Sequence, residues 1–212
     1  MTYLNVNGQN KLKQLVLKNL YALRTLVGAK QLTSLTELEI NNCPALFNGA
    51  ENNFITTTGV LIIDGDNDLI NLQELKIENC NTLKTLIVSN LKVLEKLTVK
   101  NNINLEHIII SNNTKLTTVD MYTETPINVS TLYICSNPAL RTLSIPLSNF
   151  SGYFYDKHPS EPSAHTGYGF FTIRNNPSLQ KIHTSVSTIA EYTCDFTGVT
   201  FNDLAYMGTE AA

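Results

Sequence analysis

The side chains of this 212-residue chain that are best suited to catalysis or metal binding lie in one short segment. It holds two carboxylates and two imidazoles: Asp156, His158, Glu161 and His165. Such groups bind Zn²⁺ or Mn²⁺ in proteins, but their spacing here matches no tight metal motif. Ser160 or Ser163 near His158 has the composition of a hydrolytic triad, yet adjacency within a loop is not triad geometry. We therefore predict polar loop side chains, with no catalytic residue, metal or other cofactor.

Acidic residues also cluster between Asp64 and Asp68, where the sequence resembles the start of a calcium-binding loop. A calcium-binding hand needs ligands through its twelfth position and a flanking pair of helices, which this sequence does not offer. The run is therefore interpreted as a backbone corner, with a weak calcium site as the alternative. His107 and His183 stand apart from carboxylates and cysteines in the sequence, and both are predicted to be solvated surface residues.

Aromatic residues and histidines are concentrated in the segment 146–169. They are Phe150, Tyr153, Phe154, Tyr155, His158, His165 and Tyr168. Rigid amphipathic rings among Ser, Gly and Pro are typical of recognition surfaces, so these residues are the predicted binding residues. The alternative is that the rings fold back and plug the core where a regular coil is missing, because large aromatic residues are usually buried.

An eleven-residue repeat must position this segment. Its clearest copies begin at Leu72, Leu83, Leu94 and Leu105, with apolar residues at positions 1, 4 and 6 of each unit. Alternation of buried and outward residues is the pattern of a short strand, and eleven residues leave no room for a helix of ordinary length. We therefore predict a mainly β solenoid over 1–212, with two units per coil, parallel strands on two sides and coils about 4.8 Å apart.

Positions 8 and 9 of the units predict the corners between strands. Position 8 holds Gly8, Asn19, Asn42, Gly65, Asn79, Asn90, Asn101, Asn112, Asn175 and Gly208. Asn and Gly tolerate a left-handed backbone, so each strand is expected to turn there. Position 9 holds the predicted structural ladder: Cys43, Cys80, Asn102, Asn113, Asn137 and Asn176. Stacked side chains at this position would bond backbone groups that are otherwise buried without partners.

The unit Leu72-x-x-Leu75-x-Ile77-x-x-Cys80 resembles the leucine-rich repeat consensus, with Cys43 and Cys80 at its Asn/Cys position. Most of the chain shares the resemblance. Because the motif occurs twice in each expected coil, the chain is most similar to the bacterial nested repeats of about 21–22 residues. The resemblance implies protein or glycan binding on a repeat surface, and strands on two sides imply a straighter body than the usual horseshoe.

The four cysteines also have a structural interpretation. Cys43 and Cys80 belong to the ladder, Cys194 falls at an inward strand position and Cys135 at an outward one, so no register pairs them. Free buried thiols fit a reducing compartment, or a bacterial or phage protein, better than a disulfide-built ectodomain.

Charge and chain ends limit the choice of partner. A net charge of −3 gives no basic field for nucleic acid, and no apolar run reaches the length of a membrane span. The chain carries no signal peptide, which predicts a cytoplasmic or virion protein, or a fragment of a secreted surface protein. Repeat units reach both ends without a polar cap, so we expect a neighbouring molecule or a longer chain to cover them.

Three interruptions of the repeat, at 47–59, 121–128 and 146–169, are the expected sites of contact with a partner. The sequence thus predicts a non-catalytic binding module that recognises a protein or a cell-surface glycan, for example in adhesion, through one strand face and the 146–169 segment. The first alternative is a structural subunit of a virion, fibre or surface assembly. The second, a polysaccharide-active enzyme, requires a column of outward acidic or basic residues, which the mixed outward positions do not indicate.

Overall fold

The chain forms a parallel β-solenoid in which short strands stack along one axis. The structure, a computed structural model, describes residues 1–48, 58–66, 69–121, 127–145, 147–150 and 171–184. The strands of this described part are β1 (Tyr3–Asn5), β2 (Gln14–Lys18), β3 (Thr25–Val27), β4 (Glu37–Asn41), β5 (Val60–Asp64), β6 (Glu74–Glu78), β7 (Thr85–Ser89), β8 (Lys96–Lys100), β9 (His107–Ser111), β10 (Thr118–Asp120), β11 (Ile127–Val129), β12 (Thr131–Cys135), β13 (Thr142–Ile145), β14 (Leu147–Phe150), β15 (Phe171–Arg174) and β16 (Lys181–Thr184). Two 3₁₀ turns, Ala29–Gln31 and Pro44–Phe47, are the helical elements of the described part.

Consecutive units lie on opposite sides of the coil. The seven-stranded sheet has the order β16-β13-β10-β8-β6-β4-β2, and the five-stranded sheet has the order β15-β12-β9-β7-β5. In the most regular coils Glu74 pairs with Lys96 and Thr85 with His107, so equivalent residues are 22 positions apart. The prediction of two units per coil, with parallel strands on two sides and almost no helix, is confirmed.

Inward residues of the units form one continuous core. Leu72, Leu75 and Ile77 have no exposed surface, and the same positions of neighbouring coils are equally buried. Each such side chain contributes roughly 1.5–3 kcal/mol when it is fully removed from water. Strand alternation points the residues between them outward, which leaves two outward faces on which a site can be built.

The corners follow the predicted asparagines closely. Seven asparagines have left-handed φ angles between 55° and 59°: Asn19, Asn42, Asn79, Asn90, Asn101, Asn112 and Asn175. Gly8 also has a positive φ, and Ser136 takes the same conformation in the unit of β12, where the sequence offers neither Asn nor Gly. Gly65 does not have a positive φ, so the expectation was wrong there. A Cβ on Gly65 would overlap the carbonyl oxygen of Asn90, and close approach of two coils therefore explains this glycine.

The residues of the predicted ladder lie in two columns, one behind each sheet. Asn137 shows the pattern: its Oδ1 accepts from the backbone N–H of Asn113 at 3.1 Å, and its Nδ2 donates to the carbonyl of Ile110 at 3.1 Å. Its own N–H donates to Oδ1 of Asn176 at 3.0 Å. Each amide thus satisfies one buried donor and one buried acceptor of the preceding coil.

The same pattern recurs in both columns. Asn113 bonds to the Leu91 N–H and the Val88 carbonyl, and Asn102 behind the seven-stranded sheet bonds to the Cys80 N–H and the Ile77 carbonyl. At Cys80 the thiol makes only a weak contact of 3.9 Å with the equivalent carbonyl, that of Ile40. A thiol is a weak donor and a weak acceptor, so the cysteine coils are held less firmly at this corner than the asparagine coils.

Replacing Asn137 by Leu tests the ladder. The substitution keeps the side-chain bulk but leaves the Asn113 N–H and the Ile110 carbonyl buried without their partner, so the free energy of unfolding should fall by about 3 kcal/mol. Asn104→Leu is the matched control, because exposed Asn104 makes one exposed hydrogen bond, to the carbonyl of Asn81, and its loss should stay below about 1 kcal/mol. Urea denaturation measures both, and equal losses would contradict a special role for the ladder.

Candidate functional site

The outward face of the seven-stranded sheet is covered with charged residues. They are Lys18, Glu37, Glu39, Glu74, Lys76, Glu78, Lys96, Lys100 and Asp120. The chain arranges them in opposite pairs across neighbouring strands, such as Lys18 with Glu39 at 2.8 Å and Lys100 with Asp120 at 2.7 Å. Mixed charges that neutralise each other across strands are typical of a solvated face.

A short column of carboxylates on this face was missed in the sequence. Glu37 and Glu74 are paired in register on β4 and β6, because the 36 residues between them hide the alignment. Lys76 Nζ lies 3.1 Å from Glu37 and 3.4 Å from Glu74, and Lys96 Nζ lies 3.3 Å from Glu74. The two carboxylates are therefore held in an ion-pair network with two lysines.

The electrostatics of this network do not suit acid catalysis. Burial acts to raise the pKa of the Glu74 carboxyl, but the hydrogen bond from Lys96 and the charge of Lys76 outweigh burial and hold that pKa below its usual value. A carboxyl pair that cleaves glycosides needs one member with a raised pKa, which can deliver a proton near neutral pH. Glu74 is shifted in the opposite direction.

The outward face of the five-stranded sheet has a different composition. Along its centre Ile62, Ile87 and Ile109 stack in register on β5, β7 and β9, and we call these three residues the isoleucine stripe. Rows of small polar residues flank the stripe, with Thr85 on one side and Ser89 on the other. The stripe is half-buried, which is the usual condition of outward residues that have strand neighbours on both sides.

Charge is almost absent from this face over β5, β7, β9 and β12. Asp64 is the acidic residue at the outward positions of these strands, and its Oδ1 accepts hydrogen bonds from Asn90 Nδ2 at 2.9 Å and from the Asp66 N–H at 3.2 Å. Asp64 therefore serves the corner of its own coil, as the sequence predicted. Residues 67–68 of the calcium-like run lie outside the described residues.

At β12 the same face is deeply buried. Tyr133 continues the stripe in register with Ile109 but is only 5% exposed, and outward-facing Thr131 and Cys135 are 7% and 2% exposed. Burial raises the pKa of the Tyr133 phenol, with a further contribution from Cys135, whereas Arg174 acts in the opposite direction. The part of the face that remains open to a partner is therefore β5 to β9.

All three predicted interruptions leave the solenoid at one corner. Each lies where the chain passes from the seven-stranded to the five-stranded sheet, before β5, β12 and β15 respectively. The regular connection at this corner is six residues long, as in 79–84. In the described part of two insertions, β11 pairs in parallel with β14, and Val129 lies opposite Phe150. The insertions therefore border the N-terminal ends of strands on the five-stranded sheet.

The predicted binding residues fall mainly outside the described part of the chain. Phe150 is the last residue of β14, and only its backbone is described. Tyr153, Phe154, Tyr155, His158, His165 and Tyr168 lie outside the described residues, as do Asp156 and Glu161. Within the described ranges, no group of three or more His, Cys, Asp or Glu side chains is arranged to hold a metal ion.

The isolated histidines differ from the sequence expectation in part. His107 on β9 is half-buried, and its Nδ1 lies 3.0 Å from Thr131 Oγ1 on β12, so it belongs to the polar row beside the isoleucine stripe. For His183 the structure describes the backbone, which lies in β16. The stripe itself was missed because the sequence analysis pooled the outward positions of all units. Sorting alternate units into two groups separates the charged face from the uncharged one.

Comparisons of the chain with models of protein families, with curated proteins and with solved structures found no match. Among the described residues, no helix has the length and the apolar composition needed to cross a membrane.

The buried thiols give a test of the core. Cys43, Cys80 and Cys135 are free and buried, as predicted, whereas Cys194 lies outside the described residues. Burial raises the pKa of the Cys80 thiol to about 11, so only about one molecule in a thousand carries the reactive thiolate at pH 8. Iodoacetamide should therefore label Cys80 in urea and not in buffer at that pH, as peptide mass spectrometry would show. Rapid labelling of Cys80 in the folded protein would contradict the packing at this corner.

Proposed function

We propose that this chain is a non-catalytic binding module that recognises a protein or a cell-surface glycan. The proposed contact surface is the open part of the five-stranded sheet, β5 to β9, together with the 146–169 insertion. The single observation that carries the proposal is the difference between the two outward faces. One face is a solvated network of charges, and the other is an almost uncharged surface with an apolar stripe.

The composition of the uncharged face supports this assignment. The centres of protein interfaces are depleted of charged residues, because a buried charge must be desolvated when a partner binds. The isoleucine stripe supplies apolar area, and hydroxyl groups on both sides, such as those of Thr85 and Ser89, supply hydrogen bonds that orient a ligand. A ligand of low charge would fit this surface better than a polyanion.

The position of the insertions is a second, independent support. All three lie along the border of the five-stranded sheet, so a ligand on the stripe would meet residues from the insertions at the same time. Loops carried on a rigid scaffold commonly supply the specificity of a binding surface. The aromatic residues of 146–169 are proposed to act in this way.

We further propose that the repeats are of the bacterial nested leucine-rich type. The 22-residue spacing of equivalent strands, with an Asn or Cys ladder behind each sheet, supports this assignment. A polysaccharide-active enzyme is less well supported, because the aligned carboxylates Glu37 and Glu74 are neutralised by lysines.

A lysine placed in the stripe tests the binding face. Ile87→Lys should abolish binding to whichever members of a printed glycan array and a displayed peptide library bind the unaltered protein, because a bound ligand would have to desolvate the new charge. The matched control is Ser144→Lys, which adds the same charge to the other face, opposite Asp120. Loss of binding in both variants, or in neither, would contradict the proposed face.

Replacement of residues 151–169 by a short Gly-Ser linker tests the role of the insertion. Affinity for the same glycans or peptides should fall at least about tenfold if its aromatic rings contact the ligand, since one or two such contacts are worth about 1.4 kcal/mol or more. Circular dichroism and thermal unfolding of the variant check that the coils remain intact. Unchanged affinity would leave the strand face as the site and remove the insertion from it.

A further inference from the structure

The first coil of the solenoid is purely basic. Residues 1–36 contain five basic residues, Lys11, Lys13, Lys18, Arg24 and Lys30, and no Asp or Glu, although the whole chain has a net charge of −3. Lys11, Lys13 and Arg24 are exposed, and Lys18 reaches the next coil to pair with Glu39. Positive charge is thus concentrated at one end of the stack.

The same end carries an open strand edge and exposed apolar side chains. Within the described strands β2 is the last member of the seven-stranded sheet and pairs only with β4, so half of its peptide groups point along the axis away from the stack. Four of the six large apolar side chains that are exposed in the described part lie in this coil: Met1 at 64%, Tyr3 at 54%, Val16 at 41% and Tyr21 at 61%. These features together form a surface that favours association, and we call it the basic end.

The sequence beyond β16 has the opposite charge. Residues 185–212 contain Glu191, Asp195, Asp203 and Glu210 and no Lys or Arg. The repeat pattern also continues in this segment, in the unit Phe201-x-x-Leu204-x-Tyr206-x-Gly208. The segment leaves the solenoid at β16, which is the end opposite to β2.

We propose that the basic end of one molecule docks on the acidic segment 185–212 of a second copy, so that molecules stack head to tail. Three properties of the basic end fit this occupant. Its charge is complementary, its open edge strand can accept a further parallel strand, and its apolar side chains can pack against those of another repeat unit. A head-to-tail contact uses two different surfaces and leaves both available on the outer molecules, so the stacks are open-ended.

A second copy is favoured over the two simplest other occupants. Two basic ends facing each other would bring Lys11 and Lys13 of both molecules together, and like charges across an interface are unfavourable. The molecule's own acidic segment starts at the far end of a seven-stranded sheet, roughly 29 Å away at about 4.8 Å per strand. Return of that segment along the whole stack would cost the entropy of ordering a long connection, whereas the next molecule presents it directly.

Charge reversal in the full-length chain tests the proposal. Sedimentation velocity should show concentration-dependent multimers of the unaltered protein at low salt, and these should dissociate in 1 M NaCl, where the screening length is about 3 Å. Lys11→Glu with Lys13→Glu, or Asp203→Lys with Glu210→Lys, should each weaken association by about tenfold or more, because like charges then face each other. The fourfold variant restores complementarity and should recover association.

Matched controls separate this contact from general charge effects. Lys92→Glu with Lys115→Glu makes the same change of net charge at exposed positions of the middle coils and should leave association unchanged. Monomers at every concentration, equal weakening by the control, or failure of the fourfold variant to recover would overturn the proposal. A contact within one molecule would also overturn it, and would appear as reversal and recovery of thermal stability without any dependence on concentration. Recovery in the fourfold variant shows in addition that the reversed side chains permit folding.

Discussion

The whole structure depends on satisfying the backbone at the corners. At each corner the chain leaves one sheet and enters the core-side turn, where peptide groups are buried and no longer pair within a sheet. A left-handed residue at position 8 makes the turn, and the stacked amide at position 9 supplies the missing donor and acceptor, as Asn137 does for Asn113 and Ile110. A buried peptide group without a partner costs about 1–3 kcal/mol, so a stack of coils without this arrangement would lose more with every coil than one hydrogen bond returns.

Because the corners and the core hold the frame, the outward side chains are free to differ between the two sheets. Alternate units supply the two faces, and the chain uses this freedom to keep charge on one face and to remove it from the other. The cost of carrying Glu74 and Lys76 is small, since exposed ion pairs change stability by about 1 kcal/mol or less. A nearly uncharged outward face has no such structural need, and this contrast is the basis of the proposed binding surface.

The sequence predicted what depends on period and on local backbone preference. The eleven-residue spacing predicted the strands and their alternation between two sides, and asparagine at position 8 predicted most left-handed corners. Gly65 and Ser136 differ because their roles are set by the neighbouring coil: close approach to Asn90 explains the glycine, and continuity of the stack imposes the left-handed turn on the serine.

The candidate face was harder to predict because stacking depends on insertions of unequal length. Glu37 meets Glu74 across a 37-residue interval, whereas Glu74 meets Lys96 across 22, so columns cannot be aligned until the strands are paired. The isoleucine stripe has the same origin. Of the residues predicted to bind a ligand, Phe150 alone lies in a described strand, and the importance of 146–169 stays a prediction from its composition.

The stacking direction has a mechanical consequence. The hydrogen bonds between β2 and β16 run along the axis, so a force that pulls the two ends apart acts on the strand pairs one after another. Coils would peel away singly instead of sliding past each other together. Each regular coil of 22 residues would release roughly 70 Å of extended chain as it opens. Coils cornered by asparagine should resist such a load more than those cornered by cysteine, so the stack would yield first near Cys43 and Cys80 and absorb tension in graded steps.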